Sequence, residues 1–119
     1  MKLTNGEIYS YAIQLSEEFS DSNQFLPVKP NFYIQKNKNL LVVLGQEIEL
    51  ERSKIIESCS TFVDGKMKII PSKMDEVNQK IEELASIEQE VPIYSISLED
   101  LGSVSLSTKQ MEILMFMID

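Results

Sequence analysis

Residues 30–59 read PNFYIQKNKNLLVVLGQEIELERSKIIESC, and the fold turns on whether this stretch is helix or hairpin. Ile34, Leu41, Ile48 and Ile55 fall seven residues apart and so share one helical stripe, with Leu44 and Cys59 beside it. The rival is a hairpin with strands at Phe32-Tyr33-Ile34 and Leu40–Leu44 and a turn at Asn37-Lys38-Asn39, which the aromatic and β-branched residues favour by propensity. The stripe crosses that supposed turn in register and runs on to Ile55. The spacing therefore predicts one continuous helix over about 31–59, roughly 28 residues and about 42 Å long. A domain this small should have a radius of gyration of about 13–14 Å, so the other elements are expected to pack along this helix. The run Leu40–Leu44 covers more than one face and predicts burial almost all round. Gly45 costs about 1 kcal/mol in a helix interior; a close helix crossing or a kink are the expected reasons for it. After Gly45 the stretch becomes strongly charged, which fits a helix end in solvent or one laid across a partner.

Outward from this element, Thr4-x-x-Glu7 is a capping box, and Leu3 with Ile8 forms a hydrophobic staple. Ile8, Tyr11, Ala12, Leu15 and Phe19 follow at helical spacing, predicting a first helix over about 4–19. Ser20-Asp21-Ser22-Asn23 should end it. Residues 24–30 should be extended, because Pro27 and Pro30 disfavour helix at the residues before them. Pro30 suits the first turn of the long helix. Asp64-Gly65 is the strongest turn signal and predicts a hairpin over about 61–70, with Met67 and Ile69 on one face. Ser72-x-x-Asp75 then predicts the cap of a helix over about 73–87, with Met74, Val77, Ile81, Leu84 and Ile87 buried. Alternation predicts a strand over about 91–98, sharing one small antiparallel sheet with the hairpin. Glu99–Gly102 reads as a turn, and Ser103–Leu106 as a further short strand. Ser107-x-x-Gln110 caps a last helix over about 107–118. Its six consecutive apolar residues, Ile113 to Ile118, mark either a core element or an interface. Together these signals give a single α+β domain over residues 1–119, with four helices, one of them long and central, and a small antiparallel sheet.

Composition bounds the function. The chain has 119 residues and a net charge of −8. Residues 1–74 hold nine acids and nine bases, whereas 75–119 hold ten acids against Lys80 and Lys109. No basic footprint exists for a nucleic-acid backbone, so direct nucleic-acid binding is not expected. An acidic lobe suits a basic protein partner or a simply solvated surface. No apolar run approaches the roughly 18 residues of a transmembrane helix, so no membrane contact is expected. The opening Met1–Glu7 has no signal core. The single cysteine, Cys59, forbids an internal disulfide, which fits a reducing cytoplasm.

Catalytic vocabulary is sparse. There is no histidine, which removes the commonest general base and any His-containing metal site. One cysteine cannot build a thiolate metal site, and Cys59 lacks a histidine to activate it. The four glycines are scattered and form no phosphate-binding loop. Carboxylate pairs such as Glu47/Glu51, Asp75/Glu76, Glu82/Glu83 and Glu99/Asp100 remain, but none meets the geometric requirements of a site. The expectation is a protein that is not an enzyme, with no catalytic residues, no cofactor and no metal.

Several blocks carry a resemblance. They are Leu3-Thr4-Asn5-Gly6-Glu7-Ile8-Tyr9, Leu26-Pro27-Val28-Lys29 with Asn31-Phe32 and Gln35-Lys36-Asn37, and Glu47-Ile48-Glu49 with Arg52. Pro71 with Lys73-Met74, Ile87–Val91, and the ending Gln110-Met111-Glu112 to Met115-Phe116-Met117-Ile118 complete the set. In this order they resemble a family of small phage and prophage proteins of unknown function from Gram-positive bacteria. Leu40–Leu44 departs from the family pattern by being more apolar and β-branched. The resemblance implies a phage gene expressed in the cytoplasm of a bacterial host, and helix over residues 31–59. It supplies no active residues. The expected function is a phage-encoded accessory protein that binds a host or phage protein, inhibiting or redirecting a host system such as antiviral defence. Asp75, Glu76, Glu82, Glu83, Glu88 and Glu90 are the candidate partner-binding residues, one form of which is mimicry of nucleic-acid phosphates. The alternative is a virion assembly protein that self-associates through the long helix or through Met111, Leu114, Met115 and Ile118.

Overall fold

The computed structural model describes residues 1–20 and 26–119. The expected end of the first helix after Ser20 and the expected extended start around Phe25 lie outside them. The chain is an α+β domain built on one long helix. In order come β1 (Lys2–Thr4), α1 (Asn5–Glu18), α2 (Val28–Ser58), β2 (Ser60–Val63), β3 (Lys66–Ile69), α3 (Met74–Ser86), β4 (Glu88–Glu90), α4 (Leu98–Leu101) and α5 (Thr108–Leu114). Short 3-10 turns precede α3 and follow α5.

α1 begins as its capping box dictates. The Thr4 hydroxyl accepts from the Glu7 amide at 3.1 Å, and the Glu7 carboxylate accepts from the Thr4 amide at 2.9 Å. Ile8, Ala12 and Leu15 bury their side chains against α2.

α2 is one continuous helix of 31 residues. It starts at Val28, ahead of the expected Pro30, because the amides of a first turn need no intrahelical partner and Pro30 loses nothing there. Ile34, Leu41 and Ile48 of the stripe are buried, while Ile55 is only half-buried. Leu40–Leu44 is not buried all round, since Val43 stays 54 % exposed. Gly45 sits at the α1 crossing, where an added Cβ would lie 3.6 Å from the Ala12 Cβ. The expected compactness is overturned. The radius of gyration is 18.0 Å and the extents are 55 × 29 × 22 Å. α2 alone is about 45 Å long, and its last turns run past the core.

Asp64 and Gly65 have φ of +52° and +76°, the two left-handed positions of a type I′ turn, and they close the β2–β3 hairpin as expected. The hairpin does not share a sheet with the next strand. A second two-stranded antiparallel sheet joins β1 to β4, in the register Lys2↔Glu90, Leu3↔Gln89, Thr4↔Glu88.

The strand expected over 91–98 is displaced to Glu88–Glu90. Pro92 has no amide to give a ladder, and the Ile93 amide turns back to the Val91 carbonyl at 2.8 Å. Tyr94 finds its partners in a side chain instead. Asn37, wholly buried on α2, donates to the Tyr94 carbonyl and accepts from its amide, both at 2.8 Å. Ile96 then makes a single parallel bridge to Ile118. Glu99–Gly102 is not a plain turn. Ser97 and Asp100 form a capping box that starts α4. Ser103–Leu106 is not strand. Ser72-x-x-Asp75 does not cap α3, because Ser72 lies inside the 3-10 turn that begins at Pro71 and the cap position falls on Lys73.

The last helix is shorter than expected and closes as a 3-10 turn over Met115–Met117. Ile113, Leu114 and Met117 are buried, and Phe116 stacks on Tyr11 with ring centroids 4.0 Å apart. The core therefore lies where α1, the first two-thirds of α2 and the C-terminal segment meet.

Candidate protein-binding surfaces

The six candidate acids are spread along α3 and β4, with Asp75 and Glu76 in the first turn of α3 and Glu88 and Glu90 beyond its far end, and their electrostatic surroundings divide them. Glu88 faces Lys2 at 3.8 Å, and Glu90 faces the N-terminal ammonium at 3.4 Å, so β1 partly neutralises both. Glu76 reaches Lys80 at 3.5 Å and accepts a hydrogen bond from the Cys59 thiol at 3.3 Å. The thiol bond and then the Lys80 ammonium hold its carboxyl below the usual carboxylate range. Glu76 thus latches the start of α3 to the end of α2, where Cys59 and Val77 are buried.

Asp75, Glu82 and Glu83 are exposed and have no ion-pair partner among the described residues. Asp75, Gln79, Glu82 and Ser86 follow at helical spacing on one outer face, because Val77, Ile81 and Leu84 turn the opposite face inward. Glu82 and Glu83 sit in the last turns of α3, where the negative end of the helix dipole adds to their charge. No basic residue occupies that last turn to offset it. A shallow groove of ≈ 470 Å³ lies beside them, edged by Ile87, which is 52 % exposed. Met74 and Ile87, both expected in the buried stripe, are in fact at the surface.

The candidate self-association residues do not form one face. Leu114 is wholly buried and has no surface to offer. Met111 and Ile118 are half-buried against the core, and only Met115 stands out, at 62 % exposed.

A surface that the sequence reading passed over is the hairpin arm. Phe62 pairs across the ribbon with Met67, so both point to the same face. They are 69 % and 46 % exposed, with Met74 near them at 44 %. Between this face, the last turns of α2 and Met74 lies an open cleft of ≈ 560 Å³, lined by Ile56, Met67, Lys68, Ile69 and Met74 among others. The signal was in the sequence: Thr61–Lys68 alternates around Asp64-Gly65 with an apolar side, but the strand expected over 91–98 does not join its sheet.

Among the described residues no helix is long and apolar enough to cross a membrane, and no three acidic or cysteine side chains are placed to share a metal ion. Comparison with known proteins gives no match to a family model, a curated protein or a solved structure.

Proposed function

We propose that this chain is a phage-encoded accessory protein that works by binding another protein in the host cytoplasm, inhibiting or redirecting it, and is not an enzyme. The phage origin rests on the ordered sequence blocks quoted above. The observation that supports a binding role is the outer face of α3. Glu82 and Glu83 are unpaired carboxylates beside the negative end of a helix dipole and an exposed apolar edge at Ile87, and Asp75 is unpaired at the opposite end of the same face. Such a face attracts a basic patch and speeds its encounter. Glu88 and Glu90 extend it, although β1 partly screens them.

Capture from a Gram-positive host lysate tests the reading. The wild-type chain should retain a defined protein whose binding weakens as salt rises. The Glu82→Lys, Glu83→Lys variant should lose it while keeping its helical content. Unchanged capture and unchanged salt dependence in that variant would sink the acidic face as the binding site.

A further inference from the structure

We infer that the hairpin arm is a strap with two positions, open as in the structure and closed by folding back along the last turns of α2. No residue of β2 or β3 is buried. A two-stranded ribbon standing alone is only marginally stable in water, and segments with few buried contacts open and shift at little cost. The arm is tied to α2 at its base. There the Ile70 amide donates to the Cys59 carbonyl at 2.9 Å, and the Ser60 hydroxyl donates to the Ile56 carbonyl at 2.5 Å. From Thr61 to Ile69 no hydrogen bond or ion pair leaves the ribbon among the described residues.

The cleft beneath the arm says where it goes, because its two walls match each other. β3 contributes Met67, Lys68 and Ile69, and α2 contributes Ser53, Ile56 and Glu57. On closing, Met67 and Ile69 approach Ile56, and Lys68 comes level with Glu57. Neither charged group has an ion-pair partner among the described residues. Ser53, Ile56 and Glu57 share one face of α2, and Leu50, 58 % exposed, continues it by one turn. The lengths agree. β2 spans about 13 Å, and the helix from Leu50 to Ser58 about 12 Å. Phe62, on the Met67 face of the ribbon, then comes over the small Ser53, between Leu50 and Ile56. Leu50, Phe62 and Met67, all exposed in the open form, leave water together. Covalent attachment at Cys59 holds the arm beside this face at a high effective concentration.

Closing orders the arm and strips water from Lys68 and Glu57. The open form is therefore the more populated one in the free chain, and removing Phe62 costs the whole molecule little. The two forms differ in what they offer. The open arm presents Phe62 and Met67, whereas the closed arm hides them, so a partner that grips Phe62 selects the open form. Closure leaves Glu82 and Glu83 untouched and is independent of the acidic-face reading.

NMR on the isotope-labelled full chain tests it. The Phe62 ring protons should show nuclear Overhauser effects to the Leu50 methyls, and Phe62→Ala should shift those methyl signals. Glu57→Lys should weaken the Phe62–Leu50 effect about two- to fivefold, the range of an exposed ion pair. Adding Lys68→Glu to that variant should restore it, because the exchanged charges again face each other across the cleft. In a mixture of labelled and unlabelled wild-type chains, no such effect should pass between molecules. Absence of the Phe62–Leu50 effect in the wild-type chain, no recovery in the Glu57→Lys, Lys68→Glu variant, or an effect that passes between molecules would overturn the inference.

Discussion

Every buried residue of α2 lies between Pro30 and Ile48, and from Glu49 to Ser58 there is none. The same helix is therefore a core element at one end and a projecting beam at the other. What differs is the cover. α1 and the C-terminal segment wrap the first part, and Tyr11–Phe116 stacking with the Asn37–Tyr94 hydrogen bonds fixes that wrapping. At the far end the hairpin and α3 pack against the helix, and Cys59 and Val77 are the buried apolar residues there. The apolar stripe of α2 continues at the far end, with Ile48 and Ile55 a heptad apart, although the residues around it are more charged there. Burial follows from what neighbours arrive, not from the stripe alone.

The largest expected effect contrasts the two ends directly. Leu41→Ala should cost about 2–5 kcal/mol, the usual toll of emptying a well-packed site. Phe62→Ala should stay within about 0.5 kcal/mol, as for a surface residue. Urea unfolding of the two variants measures both. Equal losses would mean that the arm belongs to the core and would break the comparison.

An intermediate effect sharpens the core end. Gly45→Ala places a methyl at ordinary contact distance from Ala12. It should therefore stabilise the chain by about 0.5–1 kcal/mol, through the better helix propensity of alanine. A raised melting temperature checks the sign, and a lowered one would show that the α1–α2 crossing is tighter than 3.6 Å implies.

The smallest effect belongs to the far end and to pH. The Glu76 carboxyl is held low chiefly by the Cys59 thiol. A carboxyl with a lowered folded-state pKa adds stability that is present above its unfolded value. That contribution fades as pH falls through the folded value. Cys59→Ala should move the Glu76 titration up towards the usual carboxylate range, as read by carboxyl NMR. It should also flatten the acid side of the stability profile. A Glu76 titration unmoved by the substitution would show that the latch between α2 and α3 does not involve the thiol.

Two Ser-x-x-Asp patterns show how far local rules carry. Ser97-x-x-Asp100 caps α4, while Ser72-x-x-Asp75 caps nothing. Read alone they are equivalent. Pro71 begins a 3-10 turn that shifts the second pattern by one residue and moves the cap position to Lys73. The candidate site divides in the same way. The acidity of residues 75–90 was legible from charge counting. That Glu88 and Glu90 are screened by β1, leaving Asp75, Glu82 and Glu83 unpaired, was not.

By itself the sequence determined the elements whose signals span a few residues: α1 behind its capping box, the continuous α2, the type I′ hairpin and the cap of α5. Each depends on hydrogen bonds or side-chain faces within one or two turns of the same segment. Only the tertiary structure decided that residues 2–4 pair with 88–90, that Asn37 takes the backbone of Tyr94, and that Phe62 and Met67 stay uncovered. Those outcomes join residues up to some 90 positions apart. They depend on which segments reach one another after the long helix has set the length of the molecule, and no local pattern encodes that competition.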